Sequence, residues 1–570
     1  MTDSPIPPQP TSWRQDDLRN GRPPVEPAFS EAGRFLCAGT YIDAGYRDQV
    51  IEELYVHEER IVAPSYGFDA SRVLAHALRA RRAELGWALG VLGAWFVGSV
   101  LTGGALALML VPFLLLSLAG WLRARSGQLA RVLSVVVRIY AWWNLAVIVI
   151  LVLGIWLALL GAFDDTLGGP VGPGALVFSP GIGGVATGFV IGWVPAVFAA
   201  VVTIVGLQRG YVARTIANEL NRDRYAHRPA DPAEADAGVR FARVRRRIID
   251  EQHSPLIMYD INDPFAGAGE AYRPWQDSFE LRPREDLPPG TTPEPLTNAR
   301  ILEGVVPLVE RLRVPSPHGS PQAQAAVLDR MRELVVDQCV FLPGGGLGHR
   351  DEGPHVRADF ETHRAEAIEE GGERRRHFLR IRVGGWDENL VVTLFVRVHT
   401  QGGMMMVELA PHVLLPVHAA FHNADADAHR YLNNNRFGKV AWALRHTPGS
   451  FTASLVTLGR GVASWVRIAA GGHGGARPEG PRASVRELAA QDNGSLFHLM
   501  DLDRYLKTIQ DRVIAGITLV LHEGGWHTEA FARRAGIHIE NYVGAAHDSA
   551  ISFGGSGNHN STHRGSHGDR

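Results

Sequence analysis

The sequence predicts two parts: an α-helical membrane domain with four transmembrane helices, and a cytoplasmic α+β domain with an antiparallel sheet. Long runs without a charged side chain indicate the membrane helices, and arginine-rich segments between these runs indicate their orientation. Segments that alternate apolar and polar residues, with helical segments on both sides in the sequence, indicate the α+β domain. The chain of 570 residues is long enough for several such units.

Composition argues against several classes of protein. The formal net charge is -2 and the sequence pI is about 6.9, so no nucleic-acid partner is predicted. Cys37 and Cys339 are far apart and neither belongs to a metal-ligand pair, so neither a disulfide scaffold nor a structural zinc site is predicted. Residues 1–30 are Pro-rich and lack the pattern of a secretory signal peptide, which predicts a disordered tail.

A cytoplasmic helical segment is predicted over residues 31–84. Apolar residues at helical spacing around Ile51 predict one helix that ends before Pro64. Asp69 is a suitable cap for a second helix, which has an apolar face and several arginines. Because these arginines precede a charge-free run, the second helix is predicted to lie on the membrane surface against anionic headgroups. The arginines are Arg72, Arg79, Arg81 and Arg82.

Four transmembrane helices are predicted within residues 85–208. The run from Leu85 to Leu122 has 38 residues, and a span needs only about 20, so the break at Thr102–Gly104 divides this run into two spans. Two further charge-free runs, Ile139–Phe163 and Val185–Leu207, predict the third and fourth spans. No acidic or basic residue lies within a span, which argues against a transporter or a proton pump.

The placement of arginines predicts the orientation of the spans. Arginines precede the first span, separate the second from the third and follow the fourth, whereas the loops 102–104 and 164–184 contain no Lys or Arg. By the positive-inside rule, both termini and the middle loop lie in the cytoplasm. The sequence therefore predicts a multi-pass protein of the cell membrane, followed by a juxtamembrane linker over residues 209–238.

The cytoplasmic α+β domain is predicted over residues 239–548. Three alternating segments predict an antiparallel meander, namely RHFLRIRV, NLVVTLFVRVHT and MMMVELAPHVLLPV. Helical periodicity precedes the meander in PLTNARILEGVVPLVERL and PQAQAAVLDRMRELVVDQ, and helices resume around residues 424–446 and 502–521. The Gly/His/Ser-rich tail over residues 549–570 is predicted to be disordered.

A basic segment, VRFARVRRRIIDEQ, opens this domain close to the last span. One interpretation is a solvated basic face, and the other is contact with anionic lipid headgroups. The lipid bilayer is the predicted partner, and a protein partner or a second copy of the chain is left open. The arginines in question are Arg243, Arg245, Arg246 and Arg247.

Two glycine-rich stretches resemble phosphate-binding loops only in part. In DPFAGAGEAYRPW, residues 263–275, a dinucleotide-binding fingerprint that began at Gly267 would require glycine where Tyr272 stands. We therefore predict a structural turn. PGGGLGH, residues 343–349, lacks the Gly-Lys-Ser/Thr ending of a P-loop and is predicted to be a mobile loop.

Two histidine-containing stretches are candidate metal sites. In HEGGWH the two histidines, His522 and His527, are five positions apart, with two glycines between them, and so do not share one helical face. FHNADADAHRYLNNNR has four candidate ligands, which on a helix point to different sides. These are His422, Asp425, Asp427 and His429. We predict no catalytic, cofactor-binding or metal-binding residues.

The segment that leads into the first span, GRFLCAGTYIDAGYRDQVIEELYVHEERIVAPSYGFDASRVLAHALRARR, and the later DPFAGAGEAYRPW resemble uncharacterised multi-pass membrane proteins of actinobacteria. In those proteins a Pro-Phe-x-Gly-x-Gly segment with a downstream tryptophan recurs. The resemblance implies the same topology and source, and no known activity. The predicted function is a membrane-anchored cytoplasmic interaction or sensing module. A membrane-bound enzyme with an unrecognised site around Asp425, Asp427 and His429, or a small channel, stays open as an alternative.

Overall fold

The protein forms two compact units in a computed structural model. The structure describes residues 27–536 except 124–126, 166–192, 236–237, 289, 291, 314–333, 356, 370–371, 373, 385–388 and 472–475. Unit 1 comprises Met1–Ala77, Arg222–Ala424 and His473–Arg570, and unit 2 comprises Leu78–Asn221 and Asp425–Gly472. The predicted tail over 549–570, nearly all of the tail over 1–30 and most of the loop 164–184 lie outside the described residues.

The helices are numbered here along the chain. They are α1 Glu31–Ile42, α2 Ala44–Ile51, α3 Ala70–Leu101, α4 Ala105–Leu108, α5 Leu110–Arg123, α6 Gln128–Asp165, α7 Val194–Asn218, α8 Arg222–Tyr225, α9 Pro232–Ala235, α10 Val239–Gln252, α11 Asn298–Glu310, α12 Arg357–Glu369, α13 Ala419–His422, α14 Ala424–Leu432, α15 Arg436–Gly471 and α16 Leu496–Glu523. The helix α15 continues well beyond the predicted end near residue 446, and it belongs to unit 2, although the sequence places it in the cytoplasmic domain.

Unit 1 is built on a seven-stranded sheet. The strands are β1 Leu256–Tyr259, β2 Glu270–Ala271, β3 Trp275–Glu280, β4 Val335–Pro343, β5 Arg376–Gly384, β6 Val391–Gln401 and β7 Met404–Leu414. Their order is β1-β4-β5-β6-β7-β2, and β3 also pairs with β7. The predicted antiparallel meander is confirmed as β5, β6 and β7.

The prediction of a purely antiparallel sheet is wrong, because β1 pairs with β4 in parallel, with Leu256 opposite Val340. The end of the segment predicted to be helical, LVVDQ, belongs in large part to the strand β4. Its residues Val335, Val336 and Cys339 are all buried, so the strand lacks the alternation of one exposed and one covered face. The part of that predicted helix within residues 314–333 lies outside the described residues.

The main core of unit 1 lies between the sheet and the helices α11 and α16. Ile301 and Val305 of α11 and Ile509 and Val513 of α16 are fully buried there. The two helices approach closely because a glycine stands at the crossing: a Cβ on Gly516 would lie only 2.8 Å from the Cα of Val305.

Among the residues that the structure describes, four helices are long and apolar enough to cross a membrane, in agreement with the four predicted spans. They are Ala70–Leu101, Leu106–Arg123, Gln128–Gly154 and Val194–Asn218. The predicted break between the first two is confirmed, because Gly103 and Gly104 adopt positive φ angles of 56° and 89° that end one helix and start the next. The first eight residues of the fourth predicted span, 185–192, lie outside the described residues.

The prediction of a separate surface helix before the first span is wrong. Asp69 accepts a hydrogen bond from the Ser71 amide at 2.9 Å, as expected of a cap. The helix then continues without interruption to Leu101, since no Gly or Pro stands between Ala70 and Leu85.

Candidate functional site

The glycine turn of DPFAGAGEAYRPW binds a carboxylate of the same chain. The amides of Gly267 and Gly269 both donate to Oε1 of Glu487, at 2.6 and 2.8 Å. The Ser484 amide donates to the other carboxylate oxygen at 2.8 Å. The turn therefore has the amide geometry of an anion site, and Glu487 already occupies it.

Both glycines are required by the backbone of this turn. Gly267 and Gly269 have φ angles of 102° and 90°. A Cβ on Gly269 would lie 2.2 Å from the carbonyl oxygen of Val413, which excludes any side chain there. Burial raises the pKa of Glu487 above its ordinary value, although hydrogen bonds from the backbone amides oppose this shift. No sequence signal identifies Glu487, because it lies 220 residues after Gly267.

An aromatic cluster anchors the same turn. The ring of Phe265 lies 4.8 Å from that of Phe395 and 4.4 Å from that of His412. His412 donates from Nδ1 to the Ala410 carbonyl at 3.1 Å, and burial lowers the pKa of this histidine to about 4. His412 is therefore neutral near pH 7 and packs as an aromatic ring.

A second buried polar cluster joins the start of α3 to the chain that follows α8. Asp231 accepts from Arg72 at 2.9 Å and from His76 at 3.1 Å. The other nitrogen of His76 lies 3.3 Å from the hydroxyl of Tyr41. The guanidinium of Arg72 lies 3.6 Å from the centre of the Tyr225 ring. This cluster connects the beginning of the first long apolar helix with the chain that follows the last one.

The charges in this cluster are removed from water. Arg72 and Asp231 side chains are 1% and 5% exposed. Burial raises the pKa of Asp231, but the hydrogen bond from His76 and the charge of Arg72 outweigh burial and place it well below its ordinary value. The predicted headgroup contact of Arg72 is wrong, because this side chain is buried and pairs with Asp231 inside unit 1.

The arginine-rich helix α10 uses part of its charge internally. Arg245 pairs with Glu234 at 3.3 Å, and Arg247 pairs with Asp351 at 2.9 Å. Arg243 and Arg246 are exposed. Of the four arginines predicted to contact anionic lipid, these two are the more accessible.

The four candidate metal ligands of FHNADADAHRYLNNNR have other contacts. His422 belongs to α13 and packs against Phe35 with tilted rings, whose centres are 4.5 Å apart. Asp427 pairs with Arg430 at 3.1 Å, and Nε2 of His429 lies 2.8 Å from the side-chain nitrogen of Asn433, just after α14. Over the described ranges, no group of three or more His, Cys, Asp and Glu residues could hold a metal ion. The remaining candidate, Asp425, lies on α14 with Asp427 and His429.

The other two glycine-containing stretches are a helix end and a loop with a short 3-10 helix. In HEGGWH, α16 ends at Glu523, and Gly525 has a φ angle of 80°, so the histidines on either side do not share a helix. His522 contacts the guanidinium of Arg284 at 3.1 Å. In PGGGLGH, a Cβ on Gly344 would lie 2.9 Å from the amide of Gly480, so this stretch packs closely against another loop.

The helix α15 of unit 2 buries small and hydroxyl-bearing residues and exposes large apolar ones. We call this arrangement the inside-out pattern. Its buried residues are Ala443, Thr447, Ser454 and Ser464. Its exposed residues include Val440, Leu444, Leu455, Val456, Val462, Trp465 and Val466. Small residues at helix contacts and apolar residues outside are typical of helices in a membrane.

A cavity of about 570 Å³ adjoins α15 within unit 2. Every residue that lines it is apolar, including Phe113, Trp142, Phe198, Leu444 and Pro448. The cavity therefore suits hydrocarbon and offers no group for acid–base chemistry.

The apolar helices of unit 2 and the mixed sheet of unit 1 define a membrane-associated protein of unknown activity. A family model described as the AbeC-like domain matches residues 274–558, half of the chain, and the chain belongs to this family. No curated protein and no solved structure matches the chain. The matched region contains β3 to β7 of unit 1 and α15 of unit 2.

Proposed function

We propose that the protein is a multi-pass protein of the cell membrane that anchors a cytoplasmic interaction or sensing module, with both termini in the cytoplasm. The extent of the family domain carries this proposal, since one domain includes most strands of the sheet and a helix with the inside-out pattern. The arginines before Leu85, between Leu122 and Ile139 and after Leu207 support the orientation. The resemblance to multi-pass proteins of actinobacteria supports an actinobacterial source for the protein.

Reporter fusions test the topology. One reporter that is active only in the cytoplasm and one that is active only outside are fused after Arg570 and, separately, within the loop 164–184. We expect cytoplasmic activity at Arg570 and external activity in the loop, because arginines flank the spans on one side only. External activity at Arg570 would overturn the orientation.

An exposed apolar patch supports the interaction role. Leu496, Phe497 and Met500 lie in the first turns of α16 and are 71%, 75% and 60% exposed. Exposed apolar groups that cluster in this way mark contact sites, and we propose a protein partner that supplies a matching apolar surface.

Photo-crosslinking in intact membranes tests this patch. A photoreactive amino acid at position 497 is expected to give a discrete protein adduct, and the same group at Lys507, an exposed polar position on the same helix, is not. Adducts with lipid alone at position 497, or equal adducts at both positions, would contradict a protein partner.

Anionic-lipid contact through the basic helix α10 is a second part of the proposal. We expect α10 to be protected from hydrogen exchange when the full chain is in nanodiscs with anionic lipid at low salt, and less protected at high salt. The double variant R243A/R246A should remove this difference. R245A/R247A is the matched control, because those side chains pair with Glu234 and Asp351.

Two measurements separate the alternatives. A stoichiometric metal ion that is lost in His429→Ala would favour a membrane-bound enzyme that uses Asp425, Asp427 and His429. Ion flux through liposomes that contain the purified protein would favour a small channel.

A further inference from the structure

The charged residues at the ends of the spans define a depth scale within unit 2. At 1.5 Å per residue, Trp95, Phe113 and Phe198 lie about 15 to 17 Å from these ends, near the middle of a hydrocarbon core of about 30 Å. Their rings are neighbours, with centres 5.8 Å apart for Trp95 and Phe113 and 6.4 Å apart for Phe113 and Phe198. The residue counts along three helices therefore place these three rings at the same depth. The charged residues are Glu84, Arg123 and Arg209.

The beginning of α15 lies near one charged end of this scale. The guanidinium of Arg209 is 5.8 Å from the ring centre of Trp442. Ala443 lies against Gly206, where a Cβ would be 3.6 Å from that of Ala443. Gly206 is about 5 Å deeper than Arg209 on the depth scale.

The middle of α15 lies at greater depth. The ring of Phe451 is 6.1 Å from that of Trp95, near the centre of the scale. Thr452 is hydrogen-bonded to Ser117 at 2.9 Å, and Ser117 is about 9 Å from Arg123 along its helix.

The following part of α15 lies again near a charged end. Thr457 donates to Glu84 at 3.2 Å. Gly461 is in close contact with Leu85, since a Cβ there would lie 2.7 Å from a methyl group of that leucine. Two contacts between α3 and α7 show that Glu84 and Arg209 lie at the same end of the helix bundle. Arg79 pairs with Glu219, and the ring centres of Trp87 and Tyr211 are 6.3 Å apart. These pairs show that α3 and α7 run antiparallel.

We propose that α15 is a re-entrant helix: it enters the bilayer from the side on which Glu84 and Arg209 lie, is deepest near Pro448 and Phe451, and returns to the same side. This path presupposes the proposed anchoring in a membrane, and it holds for either orientation of the spans. The occupant of its exposed face is lipid hydrocarbon. Pro448 stands inside the helix, and proline is the common cause of a bend in a long helix.

The sequence of α15 suits this path. The charge-free stretch 447–459 has 13 residues, whereas a span needs about 20, and stretches of this length are typical of re-entrant segments. The hydroxyls of Thr447, Ser450 and Thr452 donate to carbonyls of their own helix at 2.8, 2.7 and 3.0 Å, so none is unsatisfied in hydrocarbon.

The basic residues of α15 lie at both ends of the charge-free stretch. A spanning helix would place one of these groups outside, whereas a re-entrant helix keeps both on the side where positive charge accumulates. The residues are Arg436, Lys439 and Arg445 before the stretch and Arg460 and Arg467 after it.

The inside-out pattern identifies the occupant. In water, the exposed face with Leu455, Val456 and Trp465 would be an apolar patch without a cover. The exposed faces of the spans are also apolar, for example at Phe96, Val100 and other positions in α3, so both surfaces suit one hydrocarbon environment.

Single cysteines in the full-length protein test the path. Arg436→Cys and Arg467→Cys mark the two ends, and Gly449→Cys and Ala453→Cys mark the middle; all four positions are exposed. The two native cysteines are buried, and burial raises the pKa of both thiols, so their background reaction with maleimide is low. A membrane-impermeant maleimide is applied to sealed vesicles of each orientation.

We expect the two end positions to label from one side of the membrane only, at least about tenfold faster than the two middle positions, because hydrocarbon excludes the charged reagent from the middle. All four should label alike after the protein is denatured in detergent. Labelling of the ends from opposite sides would replace the re-entrant path with a fifth span, and equal labelling of all four in intact vesicles would show a helix in water.

Depth measurement separates a re-entrant helix from one that lies flat on the surface. A fluorophore attached to the Gly449→Cys or Ala453→Cys variant should be quenched more strongly by a mid-chain nitroxide lipid than one attached to the Arg436→Cys variant. Equal quenching would overturn the path. If the reporter fusions place Arg570 outside, the orientation fails, but same-side ends with a protected middle would still support the re-entrant path.

Discussion

The helices α15 and α16 follow one another in the sequence, both are amphipathic, and they bury opposite kinds of residue. In α16, of unit 1, the buried face is formed by large apolar side chains, among them Leu506, Ile509, Val513 and Ile517. In α15, of unit 2, the buried face is formed by Ala443, Thr447, Ser454 and Ser464. Amphipathic periodicity therefore shows that a helix has two faces, but the surroundings decide which face is covered by protein.

The largest expected loss of stability comes from the buried ion pair of Arg72 and Asp231 in unit 1, whose interior is otherwise mainly apolar. Asp231→Ala leaves the Arg72 guanidinium without its carboxylate in the interior. We expect a loss of about 3 to 5 kcal/mol in the free energy of unfolding. Chemical denaturation of the detergent-solubilised protein measures it. Asp427→Ala, which breaks an exposed pair with Arg430, is the control and should change stability by less than about 1 kcal/mol. Equal effects would mean that the buried cluster is not structural.

A pair of leucine substitutions tests the contrast between the helices directly. Leu506 of α16 is 0% exposed, and Leu455 of α15 is 47% exposed. Leu506→Ala should cost about 2 to 5 kcal/mol because it creates a cavity in the core. Leu455→Ala should cost less than about 1 kcal/mol, since that side chain contacts no tightly packed core. A larger loss in the free energy of unfolding for Leu455→Ala, measured in detergent, would show that this face of α15 packs against protein.

Acid should destabilise unit 1. Burial lowers the pKa of both His377 and His412 to about 4, so the unfolded chain binds more protons than the folded one between about pH 6.5 and 4. Stability must therefore fall as pH falls through this window, by up to about 3 kcal/mol for each histidine. Asp231, whose pKa is lowered, adds a further loss at still lower pH.

Thermal unfolding at about pH 7.5 and at about pH 4.5 measures how stability depends on pH, because most of the titration of the two histidines lies between these values. His412→Phe keeps the aromatic contact with Phe265 and removes one titrating group, so its stability should depend less on pH than that of the natural chain. An unchanged pH dependence would exclude His412 as a source. Hydrogen exchange of α15 in the same samples should respond less than that of the sheet.

The smallest expected effect is the hydroxyl contact of Ser117 with Thr452 in unit 2. Hydrogen bonds between membrane helices contribute about 0.6 kcal/mol on average. A double-mutant cycle with Ser117→Ala and Thr452→Ala should give a coupling energy of that size. A coupling of zero would mean that the two helices are not held together at this point in the membrane.

Local properties of the chain are the ones that the sequence predicts. The absence of charge from Leu85 to Leu122 and the alternation in β5 to β7 are visible in short windows, so the long apolar helices and the meander are both predicted. The hydrogen bond of Gly267 to Glu487 and the ion pair of Arg72 with Asp231 cannot be predicted in this way, because the two residues of each pair are far apart in the sequence. The sequence places α15 in the cytoplasmic domain because its charge-free stretch is too short for a span.

The strand β4 and the parallel pair escape prediction for a different reason. A strand that is buried on both faces has no alternation of polar and apolar residues, so Val335 and Val336 continue an apparent helical pattern. Its partner β1 has only four residues, and the pairing of Leu256 with Val340 joins distant segments. Strand pairing at this distance leaves no local mark in the sequence.

The three-part chain of unit 1 has a consequence for biosynthesis. Tyr46 of α2 packs on Phe421, with ring centres 5.1 Å apart, and Phe421 is translated roughly 375 residues later. At about 5 to 20 residues per second, a ribosome needs roughly 20 to 75 s to reach it. All four long apolar helices are synthesised within this interval. In the proposed topology, the nascent chain therefore meets the membrane before Phe421 is available to Tyr46.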